Sequence, residues 1–320
     1  MSAEWLTLLD GFHRTWSDPL LSRRVALADD TGEYTYSQLY ELVARQAGSL
    51  RELGVEPGDR VALAMERSAA LAVAILAVVV AGGCPCPMEP KLGDEEAQRR
   101  AAVAGFHWVL ADDANGKDPS LASLASKGVL AADVSMEAEP FWMTGLDPMS
   151  DGFLLFTSGS SGKPKGVLQN HRGLLANSLG VIAHTSLTNA DRLLHVMPLH
   201  HTNGVNNQLF APLLAGASVY IAGRFRAESM PELLERWRPT VVTGVPTMYA
   251  RMLPLEFSRD SLKTLRVLRC GSAPITEELH RRIEERFGIP LIVSYGLSEA
   301  TCTSTMNHQF RRSQLRRELI

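Results

Sequence analysis

Cysteine is scarce in this chain of 320 residues, which has four: Cys84, Cys86, Cys270 and Cys302. That is too few for a disulfide framework. Cys84-Pro85-Cys86 has no second Cys or His pair at ligand spacing, so zinc is not the lead and reduced, buried thiols are expected. An excess of positive charge is also missing. The formal net charge is −3, which gives no basic face for nucleic acid. No apolar run approaches the ~20 residues that span a bilayer, and the longest, Ala69 to Ala81, reads as a buried helix. The N-terminus carries Glu4 and Asp10 and lacks the basic-then-apolar order of a secretory signal, so a cytoplasmic protein is expected. Fixed-period repeats and low-complexity blocks are absent too.

What is present is globular: 45% apolar and 21% charged residues, enough for one large or two smaller cored domains. Apolar spacing predicts helices over 37–53, 69–81, 94–104, 171–183, 204–215, 229–237, 246–253 and 275–287. Strands are predicted over 60–65, 84–87, 106–111, 153–156, 192–197, 218–222, 240–245, 265–270 and 290–294. Strand and helix alternate, which predicts an α/β fold of mainly parallel sheet with helices on both faces. The stretch 112–150, rich in Asp, Ser, Gly and Pro, is the linker candidate between approximate halves 1–150 and 151–306.

Residues 154–166, LLFTSGSSGKPKG, carry the strongest chemical signal. An apolar strand delivers a loop of small and hydroxyl residues with two lysines, Lys163 and Lys165. By composition alone such a loop is a flexible linker. Its flanks decide otherwise, because regular structure is expected on both sides. Gly159 and Gly162 let backbone N–H groups turn inward, Thr157, Ser158, Ser160 and Ser161 add hydroxyls, and Lys165 adds charge, a set suited to polyphosphate. It is not a Walker A loop, since two residues and not four separate the glycines and Pro164 follows Lys163. In Tyr295-Gly296-Leu297-Ser298-Glu299, an aromatic that can stack on a base, a glycine that permits close approach and a carboxylate for a hard cation follow a strand.

The loop resembles the phosphate-binding segment of the acyl-adenylate-forming superfamily. PLHHTNG at 198–204, GSAPIT at 271–276 and SYGLSEAT at 294–301 resemble further segments of that family, in its order. The resemblance implies two layered subdomains with nucleotide between them. It implies ATP and Mg²⁺ as cofactors, coenzyme A as co-substrate, and a small carboxylic acid, fatty or aryl, as the molecule activated. By resemblance Gly271, Ser272 and Ala273 border the adenine, Tyr295 flanks it, and Thr157 and Glu299 hold Mg²⁺. Ser298 stands where the family often has Thr. His201 faces the carboxylate and the α-phosphate, making His201, Lys165 and Glu299 the catalytic set. His200 and His201, read as adjacent residues of an extended piece, point to opposite faces and cannot chelate one ion well. PLHHTNG offers no Asp to pair with an α-ammonium, which favours a plain acid over an amino acid.

The resemblance ends just after Thr301, before the family's ribose-binding Asp, hinge and mobile C-terminal domain with its Lys. A basic tail, 307–320, with Arg311, Arg312, Arg316 and Arg317, closes the chain. Two readings therefore stand side by side: a ligase complete only with further segments, and a catalytically impaired nucleotide-binding remnant. Apolar surface left uncovered predicts self-association.

Overall fold

The computed structural model describes residues 6–89, 92–116, 118–132, 137–158 and 163–307. The expected loop residues Gly159, Ser160, Ser161 and Gly162 and the basic tail from residue 308 onward lie outside these, as does the side chain of Ser158.

Fourteen strands alternate with helices among the described residues. The first two are β1 (Val25–Ala28) and β2 (Glu33–Thr35). The next four are β3 (Arg60–Ala64), β4 (Cys84–Pro87), β5 (Trp108–Ala111) and β6 (Gly128–Ala131), which form a parallel sheet in the order β4-β3-β5-β6. Then come β7 (Asp151–Ser158) and β8 (Pro164–Asn170), an antiparallel pair. The last six are β9 (Arg192–His195), β10 (Ser218–Ile221), β11 (Val241–Gly244), β12 (Val267–Cys270), β13 (Leu291–Tyr295) and β14 (Thr305–Met306). With β1 and β2 these build an eight-stranded sheet, β14-β13-β12-β11-β9-β10-β1-β2. Its interior pairs are parallel and its two edge pairs antiparallel. The chain thus crosses residue 150 in both directions, because residues 25–35 complete a sheet otherwise made from 192–306.

Local chemistry explains the helix starts. Thr7 with Asp10, and Thr35 with Gln38, form reciprocal capping boxes that satisfy the first orphan N–H groups of the helices Leu8–Trp16 and Tyr36–Glu52. Ser68 caps the helix Ala69–Val80, whose residues are apolar all round and, apart from Ala70, buried, as expected for a helix enclosed in the core. The first of these helices was not foreseen. Phe12 and Trp16 stack at 4.8 Å, and the Trp16 indole donates to the Leu213 carbonyl at 3.2 Å, closing one end of the main core.

Three sequence expectations are corrected. The stretch 112–150 is not a plain linker: β6 pairs with β5, the Phe141 and Met143 N–H groups donate to Ala44 and Val80 carbonyls, and Trp142 stacks on Tyr40 at 4.9 Å. Its polar composition masks a few apolar anchors. The segment after residues 159–162 is a strand, β8, paired with β7, so the segment expected to bind phosphate lies between two strands of a hairpin and not between a strand and a helix. Residues 204–215 do not form one α-helix. Asn203–Phe210 is a π-helix, with the Ala211 N–H bonded five residues back to Asn206, and Ala211–Leu214 is a short α-helical turn carrying Pro212. Pro212 has no N–H to extend an α ladder backwards. Among the described residues no helix is long and apolar enough to cross a membrane, and all four cysteines are free and buried.

One core group makes the fold sensitive to acid. His171 opens the helix His171–Thr185, is fully buried, and has both ring nitrogens without a hydrogen-bond partner. Burial lowers its pKa to about 4. Between pH ~6.5 and ~4 the unfolded chain binds a proton that the folded chain refuses, so stability falls as pH falls through that window, by at most about 3 kcal/mol from this group. Denaturant midpoints of His171→Leu should therefore decline less than wild type from pH 7 to pH 4.5. His195 and His200, also depressed by burial, leave part of the slope in place. Parallel curves for the two proteins would remove His171 from this account.

Candidate active site

A cavity of about 620 Å³ opens beyond the C-terminal ends of β11, β12 and β13, where parallel sheets place ligand sites. The sheet side contributes Val245, Ser272, Ser294 and Gly296. The hairpin contributes Phe156, Thr157 and Lys163, and the helix Asp94–Ala104 contributes Glu96 and Arg100. The cavity is therefore bounded by all three sheets or the helices that cover them.

Of the residues expected from sequence, Thr157, His201, Ser272, Gly296 and Ser298 line it. Lys165, Gly271, Ala273, Tyr295 and Glu299 do not. Lys165 is the cross-strand partner of Thr157 and its side chain is exposed. Lys163, also noted in the sequence but not assigned a role, is the lysine on the wall. Gly271 sits behind the wall, where a Cβ would lie 2.6 Å from the Ser294 hydroxyl. Ala273 and Glu299 are exposed, and Glu299 carries no ion pair among the described residues. Tyr295 ends β13 with 68% of its surface exposed. Gly296 is obligatory on steric grounds, since a Cβ there would run into the Cys302 carbonyl. Ser272 holds a φ of +64°, a left-handed conformation for a residue with a side chain, and its hydroxyl accepts from the Asn203 amide at 3.2 Å.

His200 and His201 lie in a turn and not on an extended segment, so their rings meet at 4.5 Å and do not diverge to opposite faces. Burial, and then the neighbouring His201, lowers His200 to about 4. Burial also lowers His201, with Glu89 opposing and Arg100 reinforcing the shift. At neutral pH both imidazoles are uncharged, so His201 presents an N–H or a lone pair to the cavity and not a cation.

Several lining residues were missed from sequence. Glu96 and Arg100 face each other one helical turn apart at 3.1 Å. Arg100 also reaches Glu89 at 3.5 Å and lies 5.2 Å from the Phe156 ring centroid. Their i,i+4 spacing was visible, but nothing linked that helix to the site. Asn203, Asn206 and Asn207 of the π-helix form an amide network. Asn206 donates to Gln169 at 2.9 Å and to the Thr301 carbonyl at 2.5 Å, and Asn207 to Thr303 at 2.9 Å, while Gln169 donates to the Ser298 carbonyl at 2.8 Å. This network pins residues 298–303 to both the helix and the hairpin.

Arg67 fixes the frame beneath. Its guanidinium donates to the carbonyls of Ala222 (2.8 Å), Met197 (2.6 Å) and His195 (2.8 Å), and to His195 Nδ1 (2.8 Å). Because Arg only donates, Nδ1 must accept, and the remaining proton of the neutral ring sits on Nε2, which donates to the Gly204 carbonyl at 2.8 Å. Gly204 in turn cannot carry a side chain, because a Cβ would collide with the Pro198 carbonyl. The turn bearing His201 is thereby held at both ends. Arg67→Met leaves four acceptors facing a methyl group, at roughly 1–3 kcal/mol for each that stays dry. A fall of several degrees in melting temperature is expected, with loss of protection of the Gly204–Val205 amides in hydrogen exchange. An unchanged melt would show that the clamp is replaceable.

A family model described as AMP-binding enzyme matches residues 20–318. The match continues past Thr301, where the likeness was expected to stop. Feruloyl-CoA synthase of an Amycolatopsis species is 33% identical over 273 residues, 83% of this chain and 54% of its own length. Oxalate–CoA ligase of Arabidopsis thaliana is 29% identical over 315 residues, 89% of this chain and 59% of its own. The crystal structure of ATP-bound MatB from Rhodopseudomonas palustris superimposes with a TM-score of 0.85 at 27% identity, over 95% of this chain and 62% of that one. The chain thus spans a little over half the length of the relatives it matches. Its fold, its cavity beyond the parallel strand ends and the match over residues 20–318 establish the chain as a member of the AMP-binding enzyme family.

Proposed function

We propose that this chain forms the nucleotide- and acid-binding part of an ATP-dependent ligase that activates a carboxylic acid as its acyl-adenylate and passes the acyl group to coenzyme A. The observation that carries the reading is the convergence of Thr157, Lys163, His201, Ser272 and Ser298 on one cavity. The named activities of the CoA-ligase relatives and the ATP bound to MatB support it. The four free, buried thiols suit a reducing, cytoplasmic setting.

The chemistry is governed by charge. A carboxylate approaching the α-phosphorus of ATP brings anion to anion, so rate must come from neutralising phosphate oxygens and holding the reactants in line. Lys163, just before β8, and Lys165, within it, follow the phosphate loop directly in sequence, and Arg100, on the cavity wall, adds a third cation. Neutral His201 orients the acid by hydrogen bonding and adds no charge that would trap the carboxylate in the ground state. Ser272, Gly296 and Ser298 border the nucleotide, with exposed Tyr295 offering its ring face to adenine. The Thr157 hydroxyl and the exposed Glu299 carboxylate are oxygen donors of the kind Mg²⁺ takes together with phosphate oxygens, and the ion would supply further neutralisation of phosphate charge when bound. The missing Asp in the turn around His201 favours a fatty or aryl acid over an amino acid.

Millimolar ATP–Mg²⁺ should raise the melting temperature. At 100 times the dissociation constant the added stability is about 2.7 kcal/mol. Lys163→Ala, Lys165→Ala and Glu299→Gln should each reduce the rise without lowering the ligand-free melt, because all three side chains are exposed. A melt indifferent to ATP–Mg²⁺ would contradict the proposal.

A further inference from the structure

β11 and β12 pair in register, Val241 with Val267 and Thr243 with Arg269. Val241 and Val267 belong to the main core with Leu193 and Ile292. By the two-residue period of strands, Thr243 and Arg269 stand side by side on that same face. There the chemistry turns polar. Arg269 is 1% exposed, yet the N–H of its Nε and both N–H groups of its Nη1 have no acceptor, and the neighbouring Thr243 hydroxyl is likewise unpaired. Gln208, one residue beyond the cavity-lining Asn207, is fully buried with both amide atoms unpaired.

Among the described residues no carboxylate compensates the guanidinium. The ionisable groups within its electrostatic reach are the Cys302 thiol and the Tyr249 phenol, both of which burial keeps protonated. Burial lowers Arg269 itself only to about 10, so it is charged at neutral pH. An unpaired buried cation is among the costliest features a core can hold, and it persists where something supplies the counter-charge. The position says where that supply enters. Arg269 is followed along β12 by Cys270, Gly271 and the cavity-lining Ser272. Its β13 partner is Ile292, two residues before cavity-lining Ser294, and Cys302, which it reaches, also lines the cavity. Arg269 is therefore joined along β12, and across to β13, to residues that line the cavity.

We propose that Arg269 closes the inner end of the acid-binding pocket and selects acids that carry a second carboxylate at the end remote from the activated one. This rests on the acid-activating reading given above. The second carboxylate would pass between Asn207 and Cys302 to take the unpaired N–H groups, with the Thr243 hydroxyl beside it.

The test uses the whole chain with ATP–Mg²⁺ present. Binding is measured calorimetrically for straight-chain dicarboxylates from malonate to adipate and for the monocarboxylates of matching length. At least one dicarboxylate is expected to bind 10- to 100-fold more tightly than its monocarboxylate match, the range for charge-assisted hydrogen bonds. Arg269→Met should bring that ratio to near one while the ATP–Mg²⁺ response stays as in wild type. Its melting temperature should equal or exceed wild type, since removing an unpaired buried charge relieves a cost. Monocarboxylates binding as tightly as every dicarboxylate in the wild-type chain would overturn the proposal, whether or not the variant folds. So would a destabilised Arg269→Met that keeps the preference. A wild-type chain that responds to ATP–Mg²⁺ but shows no dicarboxylate preference sinks this proposal alone, and one that responds to neither sinks the reading beneath it.

Discussion

The two larger sheets are joined at the site by one half-buried cation, Arg67. Arg67 follows β3 of the four-stranded sheet, and its acceptors follow or end β9 and β10 of the eight-stranded one. Apolar packing can hold two sheets together but tolerates sliding, because it has little direction. Four hydrogen bonds from a planar group do not tolerate it. The His195 tautomer, the seat of the π-helix and the turn bearing His201 are all set from that point. A guanidinium so placed works as a fixed dowel between layers, and the cavity inherits its shape from the alignment.

Around this frame the site divides its labour by element. The parallel strands deliver short, backbone-rich segments to a common edge. The hairpin brings hydroxyl and ammonium groups from outside the eight-stranded sheet. The π-helix supplies amides, whose paired donors and acceptors can tie several loops at once without introducing net charge. Asn206 and Gln169 together reach residues from three separate segments. Such polar networks are costly to leave half made, and the bonds they do make favour one arrangement of the loops.

Much of this was legible in the sequence. Strand and helix alternation came through because period and stop signals agreed, as in Tyr36–Glu52 with Gly54 beyond it, and in Ala69–Val80. The motifs resting on small residues were also legible, since a glycine such as Gly296 records a steric demand at one position. Less visible was everything decided by pairing at a distance. β8 has no apolar alternation of its own and is a strand because β7 lies beside it. β1 and β2 are too short to announce a sheet whose other members come some 160 residues later. The π-helix keeps its apolar residues Val205 and Leu209 at helical spacing, so spacing alone does not separate it from an α-helix, and it runs into Pro212, which has no N–H to extend an α ladder backwards. Thr243 and Arg269 are unremarkable apart from one another, and only register makes them neighbours.

Gly204 and Gly296 have a consequence outside the folded state. Each lies against a main-chain carbonyl that even a methyl group would strike, whereas Gly180, on an open helix face, has nothing within 4 Å. Every single-base change that replaces a glycine by another residue adds at least a Cβ. The codons of these two glycines at the site are therefore closed to replacement, while the codon for Gly180 meets no such barrier. The history of substitutions at the site should be written in the residues around these two fixed points, and the cavity can change its lining without losing its outline.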